Sequence, residues 1–115
     1  PLSLAEVEQI IDLQMRGIVE RMAASGLQVH LTEPARHWLA KKGYDQQFGA
    51  RPLRRALQRF VENPLSIQLL KGSFHPGDLI VIDEVNDQLE FVRNQDASTD
   101  YVNMRQDQYM DDSRQ

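Results

Sequence analysis

The sequence predicts a single α+β domain with three to four helices and a small three-stranded sheet. Apolar residues recur at helical spacing in the N-terminal and central segments, three short apolar segments are typical of strands, and no unit repeats along the 115 residues. We expect the domain to span residues 1–93. We expect residues 94–115 to form an acidic, polar and disordered tail, because they carry too few apolar residues to offset the entropy of ordering.

The first predicted helix begins at a capping box, in which Ser3 caps the backbone and Glu6 reaches back to it. Gly26 ends this helix, because glycine readily adopts the left-handed turn that follows many helices. Residues 27–31 then alternate apolar and polar side chains, which predicts a half-buried strand. The apolar stripe of the helix has three- and four-residue spacing and consists of Leu4, Val7, Ile11, Met15, Ile18 and Met22.

Two further helices are predicted in the middle of the chain. Thr32 caps the first of them, with Pro34 tolerated in its first turn, and Gly43 ends it. Pro52 opens the second, which must kink or restart at Asn63-Pro64 because proline has no N–H to donate to the preceding turn.

In the C-terminal part of the domain, the sequence predicts a β-hairpin. Residues 79–83 and 89–93 are strand-like and flank a turn at Asn86-Asp87, after an earlier turn at His75–Asp78. Two helices separate the first strand from this hairpin, which is enough chain for a crossover that brings all three strands into one sheet.

Composition excludes several classes of protein. No apolar run approaches the ~18 residues of a membrane span, and the absence of cysteine excludes disulfides, thiolate metal sites and a thiol nucleophile. The start of the sequence lacks the basic, apolar and small-residue pattern of a leader, so we expect no secretion, and the lack of cysteine fits a reducing cytoplasm. The first residue is Pro1, so we expect a piece of a longer protein. The net charge of −4 is concentrated in the tail, which holds five aspartates and two arginines.

The sequence carries few signs of independent catalysis. His30, His37 and His75 lie on different predicted elements without metal-ligand spacing, so we expect no metal site. No nucleophile elbow and no glycine-rich phosphate loop occurs. We therefore expect that this chain is not an enzyme by itself.

One segment stands apart by its charge. Between Gln46 and Val61 there are four arginines and no acid, namely Arg51, Arg54, Arg55 and Arg59. For the last three, a solvated basic face is an equally good interpretation. Arg51 is held more tightly, because it lies between Gly49 and Pro52 at the start of a predicted helix. A guanidinium suits phosphate oxygens, and a helix start adds positive potential, so Arg51 predicts an anion site.

Residues 43–45 and 48–55 resemble the sensor-2 segment of Clp-type AAA+ unfoldases, in the C-terminal small subdomain of the second ATPase module of ClpB- and ClpC-like proteins. The Gly-Ala-Arg-Pro-Leu-Arg-Arg run is specific to it. Gln46 replaces a common proline, and Phe48 a common tyrosine. The likeness covers about residues 3–93 and includes residues 27–32, 63–66, 69–72 and 76–78.

The resemblance implies half of an ATPase site. A large subdomain outside this chain would supply the P-loop and the Mg²⁺, and the small subdomain would close over ATP or ADP. By this likeness Arg51 contacts the terminal phosphates, while Ala50 and Ile10 line the adenine pocket. For Ile10, a plain core position is the alternative. Contact with nucleotide would then be coupled to subdomain rotation.

The resemblance also implies partners. These are the large AAA+ subdomains of the same and the neighbouring subunit in a homo-hexamer, polypeptide substrates, and a ClpP-type protease in some members; no membrane is involved. A winged-helix-like nucleic-acid-binding module using the basic third helix is the alternative function. The net charge of −4 and the acidic tail argue against it. An interaction domain working through the tail is a third possibility.

Overall fold

The computed structural model describes residues 2–44, 49 and 51–94 and confirms the predicted α+β domain. Its elements are α1 (Leu4–Ala24), β1 (Gln28–Leu31), α2 (Glu33–Gly43), α3 (Leu53–Leu57), a π-helical segment (Gln58–Glu62), α4 (Asn63–Leu70), β2 (Leu79–Val85) and β3 (Gln88–Asn94). Asn94 thus belongs to the sheet, although the sequence assigned it to the tail. The prediction of a disordered tail otherwise concerns residues 95–115, which lie outside the described residues.

The start of α1 follows the predicted capping box. The Glu6 N–H donates to Ser3 Oγ at 3.1 Å, and the Ser3 N–H donates to Glu6 Oε1 at 2.8 Å. The predicted apolar stripe is buried from Val7 to Met22, whereas its first member, Leu4, is 40% exposed. The helix therefore buries one continuous face and leaves its first turn at the surface.

The three strands form one sheet in the order β1-β2-β3. The first pair is parallel, with Val29 opposite Ile80, and the second is antiparallel, with Ile82 opposite Phe91. Asn86 and Asp87 both have positive φ, +54° and +62°, as a two-residue hairpin turn of the predicted kind requires. The central strand β2 is buried at five successive positions. α1 contacts β1, α2 contacts β2, and the two helices contact each other, so the core lies between them and the sheet.

The third predicted helix begins at Leu53, one residue later than expected, with Pro52 as its cap. The irregularity expected at Asn63-Pro64 is present as the π-helical segment just before it. There the Asn63 N–H donates to the Gln58 carbonyl, five residues back. α4 continues the apolar pattern at Leu65, which is buried, but Leu70 is 89% exposed because the helix ends there. In the described part of the chain, none of the helices combines the length and apolar character that a bilayer span requires.

Thr32 joins the start of α2 to the central strand. Its Oγ1 accepts a hydrogen bond from the Ala35 N–H at 3.3 Å and donates to Asp83 Oδ1 at 2.9 Å, and the residue is buried. We expect Thr32→Ala to lower the free energy of unfolding by about 2 kcal/mol, because it removes a helix cap and a buried bond to a charged group. Thr32→Ser, which keeps the hydroxyl, should lose less than about half as much. Equal losses in urea denaturation would contradict this account.

Candidate functional site

Arg51 lies at the surface immediately before the cap of α3. Its side chain forms no ion pair within the described residues, and Pro52 behind it has φ −71°. Gly49 adopts φ +66°, a left-handed conformation that glycine adopts without steric cost. An exposed guanidinium without a carboxylate partner is available to an anion from outside the chain.

The start of α3, directly after Arg51, is firmly packed against α2. Leu53 is fully buried at the start of α3, and α2 approaches it so closely that a Cβ on Gly43 would overlap with Leu53 Cδ1. Further along, Trp38 of α2 meets Phe60 edge-on, with ring centroids 5.1 Å apart. The end of α2 and the start of α3 are thereby held together, which fixes both ends of the segment that carries Arg51.

The other three predicted arginines also remain without acidic partners in the part of the chain that the structure describes. Arg54 and Arg55 are exposed on α3, and Arg59 is exposed with its guanidinium 5.2 Å from the centre of the Phe60 ring. The nearest acid in sequence, Glu62, is engaged by Arg21. Their exposure fits the solvated basic face, one of the two interpretations that the sequence left open, and does not exclude contact with an anion.

The two predicted adenine-pocket residues have different outcomes. Ile10 is half-buried on α1 and packs against the hydrophobic core, a position that the core interpretation explains equally well. Ala50 lies outside the described residues. α1 and α3 pack against each other, so the structure brings together the helix of Ile10 and the helix that follows Arg51.

The histidines occupy separate places, as their spacing indicates. His37 shares a 3.0 Å hydrogen bond with Glu8, and His75 lies 2.7 Å from a guanidinium nitrogen of Arg93. Burial lowers the pKa of His30, which is half-buried on β1. Within residues 2–44, 49 and 51–94, no three His, Asp or Glu side chains come together in a group that could hold a metal ion.

Charged side chains tie the helices together. Arg36 of α2 pairs with Asp12 of α1 at 2.9 Å and with Glu33. Arg21 of α1 pairs with Glu62 of the π-helical segment at 2.6 Å, and this hydrogen bond lowers the pKa of the Glu62 carboxyl. These pairs lie at the surface, where solvent screens the attraction between the charges, so they add little to the stability of the domain.

A groove that the sequence did not predict lies between α1 and the helical body that starts at α3. Its volume is about 520 Å³, within the range of small-ligand sites. One sequence signal was present, since a glycine in the middle of α1 has no side chain to fill the space. The groove is lined by Leu13, Gln14, Gly17, Ile18, Arg21, Arg54, Leu57, Gln58 and Glu62.

The fold and the exposed arginine segment place the chain in the AAA+ class of Clp ATPases, as its C-terminal small domain. A family model of the C-terminal, D2-small domain of ClpB protein matches residues 2–82. The chain belongs to this family of ClpB-type chaperone domains.

Individual relatives agree with this assignment. The chain is 42% identical over 91 residues to the chaperone protein ClpB of Rhodopirellula baltica, covering 79% of this chain and 10% of that protein. It is 37% identical over 92 residues to ClpB of Aquifex aeolicus, covering 80% and 9%. It is also 40% identical over 85 residues to the chloroplastic ClpD of Arabidopsis thaliana, covering 72% and 9%. The chain thus spans about a tenth of the length of these relatives.

Proposed function

We propose that this domain senses nucleotide in a ring-forming, ATP-dependent protein unfoldase. Arg51 contacts the terminal phosphates of ATP bound to a large subdomain outside this chain, which supplies the P-loop and Mg²⁺. The observation that carries the proposal is an exposed arginine that pairs with no acid among the described residues and precedes the buried start of α3, in a domain of the ClpB D2-small family. An arginine at this place can stabilise phosphate charge and report its loss on hydrolysis.

The rigidity of the domain would couple the contact between Arg51 and nucleotide to a rotation of the whole domain. Because Leu53 is buried and α2 is packed tightly against it, a pull on Arg51 moves the whole domain and not one loop. A rotation between two rigid subdomains is a common way to convert ligand contact into motion. In a homo-hexamer this rotation would act on polypeptide substrates held by the ring.

We place such a protein in the cytoplasm, with stress response as its setting and a ClpP-type protease as an optional partner.

Ala50 and Ile10 belong to the proposal as residues beside the adenine. Ile10 retains some exposed surface at the core boundary, which allows an apolar contact with a ring from outside. The family assignment favours nucleotide sensing over the nucleic-acid-binding alternative. A titration of this chain with duplex DNA at low salt discriminates between them, since the alternative requires binding that weakens steeply as salt is added.

The proposal is tested by Arg51→Ala in the full-length protein that contains this domain. ATP turnover should fall about tenfold or more, since one lost contact to a phosphate charge amounts to at least about 1.4 kcal/mol in the transition state. The measurement is steady-state ATP hydrolysis with saturating nucleotide. Because Arg51 is exposed and forms no ion pair within the described residues, the same change should alter the stability of the domain by less than about 0.5 kcal/mol.

A matched control is Arg16→Ala, which removes one exposed positive charge from α1 and should leave turnover near the wild-type value. Wild-type hydrolysis in Arg51→Ala would refute the role assigned to Arg51. A loss of similar size in Arg16→Ala would show that the effect follows net charge and not position.

A further inference from the structure

The strand β3 forms one edge of the sheet. The order β1-β2-β3 places no strand beyond it among the described residues. All 7 of its residues, Gln88–Asn94, pair with β2 in one unbroken register, and the strand contains no proline. Proteins commonly protect an exposed edge with a bulge or a proline, because unpaired backbone groups can accept another strand. β3 has neither protection, so its edge is open to pairing.

Alternate residues of β3 direct their backbone groups away from the sheet. The Ile82 carbonyl accepts from the Thr32 N–H at 3.0 Å, so the backbone of Ile82 faces β1 and not its partner on β3, Phe91. Bonded and non-bonded positions alternate in an antiparallel pair, so Leu89 and Arg93 have the same orientation as Phe91. Among the described residues, the backbone N–H and C=O groups of these three have no hydrogen-bond partner. The edge therefore presents a row of free donors and acceptors.

Two apolar side chains lie at the same edge. Leu89 and Phe91 are half-buried, and both pack against the hydrophobic core on the helix-facing side of the sheet. Glu90 lies between them in the chain, so it points to the opposite side, where it is exposed. A strand beyond β3 would cover the remaining apolar surface. It fits best with an apolar residue opposite Phe91 and without an acid opposite Glu90.

The sequence of β3 meets both requirements. Phe91 is the middle residue of the strand, so two antiparallel copies aligned over their full length place Phe91 opposite Phe91. Aromatic residues that face each other across two strands stabilise the pairing. In this alignment Leu89 lies opposite Arg93 of the second copy, and every free backbone group of the edge finds a partner. Glu90 lies opposite Val92, so no like charges are directly opposed.

We propose that β3 pairs with β3 of a second copy of this chain about a two-fold axis at Phe91. The two three-stranded sheets then form one continuous sheet. A two-fold contact differs from the head-to-tail contacts that close a ring, and it does not depend on the nucleotide proposal. The contact is small, and the two Glu90 carboxylates lie diagonally across the axis. The dimer is therefore weak, with a dissociation constant on the order of 1 mM.

The test measures the exchange of single backbone amides with water by NMR, at chain concentrations of about 0.02 mM and about 1 mM. The N–H groups of Leu89, Phe91 and Arg93 should exchange about twofold more slowly at the higher concentration, because about half of the chains are then paired. The controls are the N–H groups of Val29 and Leu31. They face outward at the other edge of the sheet, since they alternate with the residues that bond to β2. Their exchange rates should be the same at both concentrations.

Two substitutions at one position test the register. Because Leu89 lies opposite Arg93 of the second copy, Leu89→Glu introduces an attraction on both sides of the axis and Leu89→Lys a repulsion. Both remove the same apolar side chain, so each is the control for the other. We expect the dissociation constant, measured by sedimentation equilibrium, to be about tenfold larger for Leu89→Lys than for Leu89→Glu.

Four results would overturn the proposal. Equal association of the two Leu89 variants would contradict the register. Equal slowing of exchange at both edges of the sheet would indicate non-specific association. Slow exchange of the Phe91 N–H at both concentrations would show that another part of the same chain covers the edge. Fast exchange at both concentrations would show that no second copy binds there.

Discussion

Gly26→Ala is expected to lower the free energy of unfolding of this domain by about 3 kcal/mol or more, the sum of a backbone cost and a steric one. Gly26 adopts φ +87° between α1 and β1, where a side chain costs about 1–2 kcal/mol. A Cβ there would also lie 2.8 Å from Cβ and 2.9 Å from Cα of Pro76. The second atom is backbone and cannot rotate away, so the chain itself must move.

That movement would reach the sheet. The Gly26 carbonyl accepts from the Gly77 N–H at 2.8 Å, and the next residues align β1 with β2 through the bond from the Gln28 N–H to the Asp78 carbonyl, at 3.0 Å. Displacing Pro76 therefore loosens the parallel strand pair as well as the turn. The measurement is urea denaturation of the chain followed by circular dichroism.

Gly72→Ala is the matched control for Gly26→Ala. Gly72 has φ +80°, close to that of Gly26, but a Cβ there would have no neighbour within 4 Å. It should lose only the backbone cost of about 1–2 kcal/mol. If the two substitutions destabilised the domain equally, the contact with Pro76 would contribute nothing.

Local sequence signals predicted the elements whose causes are local. Ser3 and Glu6 predicted the start of α1, Gly26 its end, and Asn86-Asp87 the hairpin turn, because each depends on the conformation of residues within a few positions. Most of the predicted strand ends differ from the observed ones by one or two residues. Pairing with a distant strand decides the last hydrogen bond of a strand, and the local sequence does not show it.

What the sequence could not predict depends on distant contacts. The π-helical segment before Asn63 was expected only as an irregularity at Pro64, because the hydrogen-bond pattern depends on packing against α1 and α2. The groove is lined by both Gly17 and Arg54, which lie 37 positions apart in the chain. Leu70 likewise continues the apolar pattern of α4, but it is the last residue of that helix and lies in solvent.

The arginine segment shows the same contrast between features that local sequence predicts and features that depend on distant contacts. Residue types and the proline predicted an anion site at Arg51, since guanidinium chemistry is local information. The sequence did not reveal that Gly43 and Leu53 would pack so closely next to it, or that Arg21 would engage Glu62 while Arg54 pairs with no acid among the described residues. The sequence therefore predicted the kind of ligand that Arg51 suits. The packing next to Arg51 and the ion pairs around it became apparent only from the folded structure.

Asp78→Ala should lower the free energy of unfolding by about 3 kcal/mol, close to the effect of Gly26→Ala. Asp78 is only 2% exposed, and its Oδ2 accepts from Arg93 Nε at 2.6 Å and from the His75 N–H at 2.7 Å. It joins β3 to the turn before β2. Its removal leaves a partly buried backbone donor and a guanidinium without this acceptor, as well as a small cavity.

The pH dependence of this effect has a definite sign. Burial raises the pKa of the Asp78 carboxyl, but the hydrogen bonds from Arg93 and His75 and the positive charge of Arg93 outweigh it, so the net pKa lies below the ordinary 3.8. A group whose pKa is lowered by folding stabilises the protein above its unfolded pKa and loses that contribution as the pH falls toward the folded value.

Asp78→Asn separates charge from shape, because it keeps the volume and one acceptor oxygen. It should lose about half as much stability as Asp78→Ala at neutral pH, since a neutral hydrogen bond replaces a charge-assisted one. The difference between wild type and Asp78→Asn should be constant between about pH 5 and pH 7 and shrink below about pH 4. Urea denaturation at several pH values measures it. A difference that persisted undiminished in acid would show that Asp78 acts through packing, because protonation of the wild-type carboxyl would then make no difference to stability.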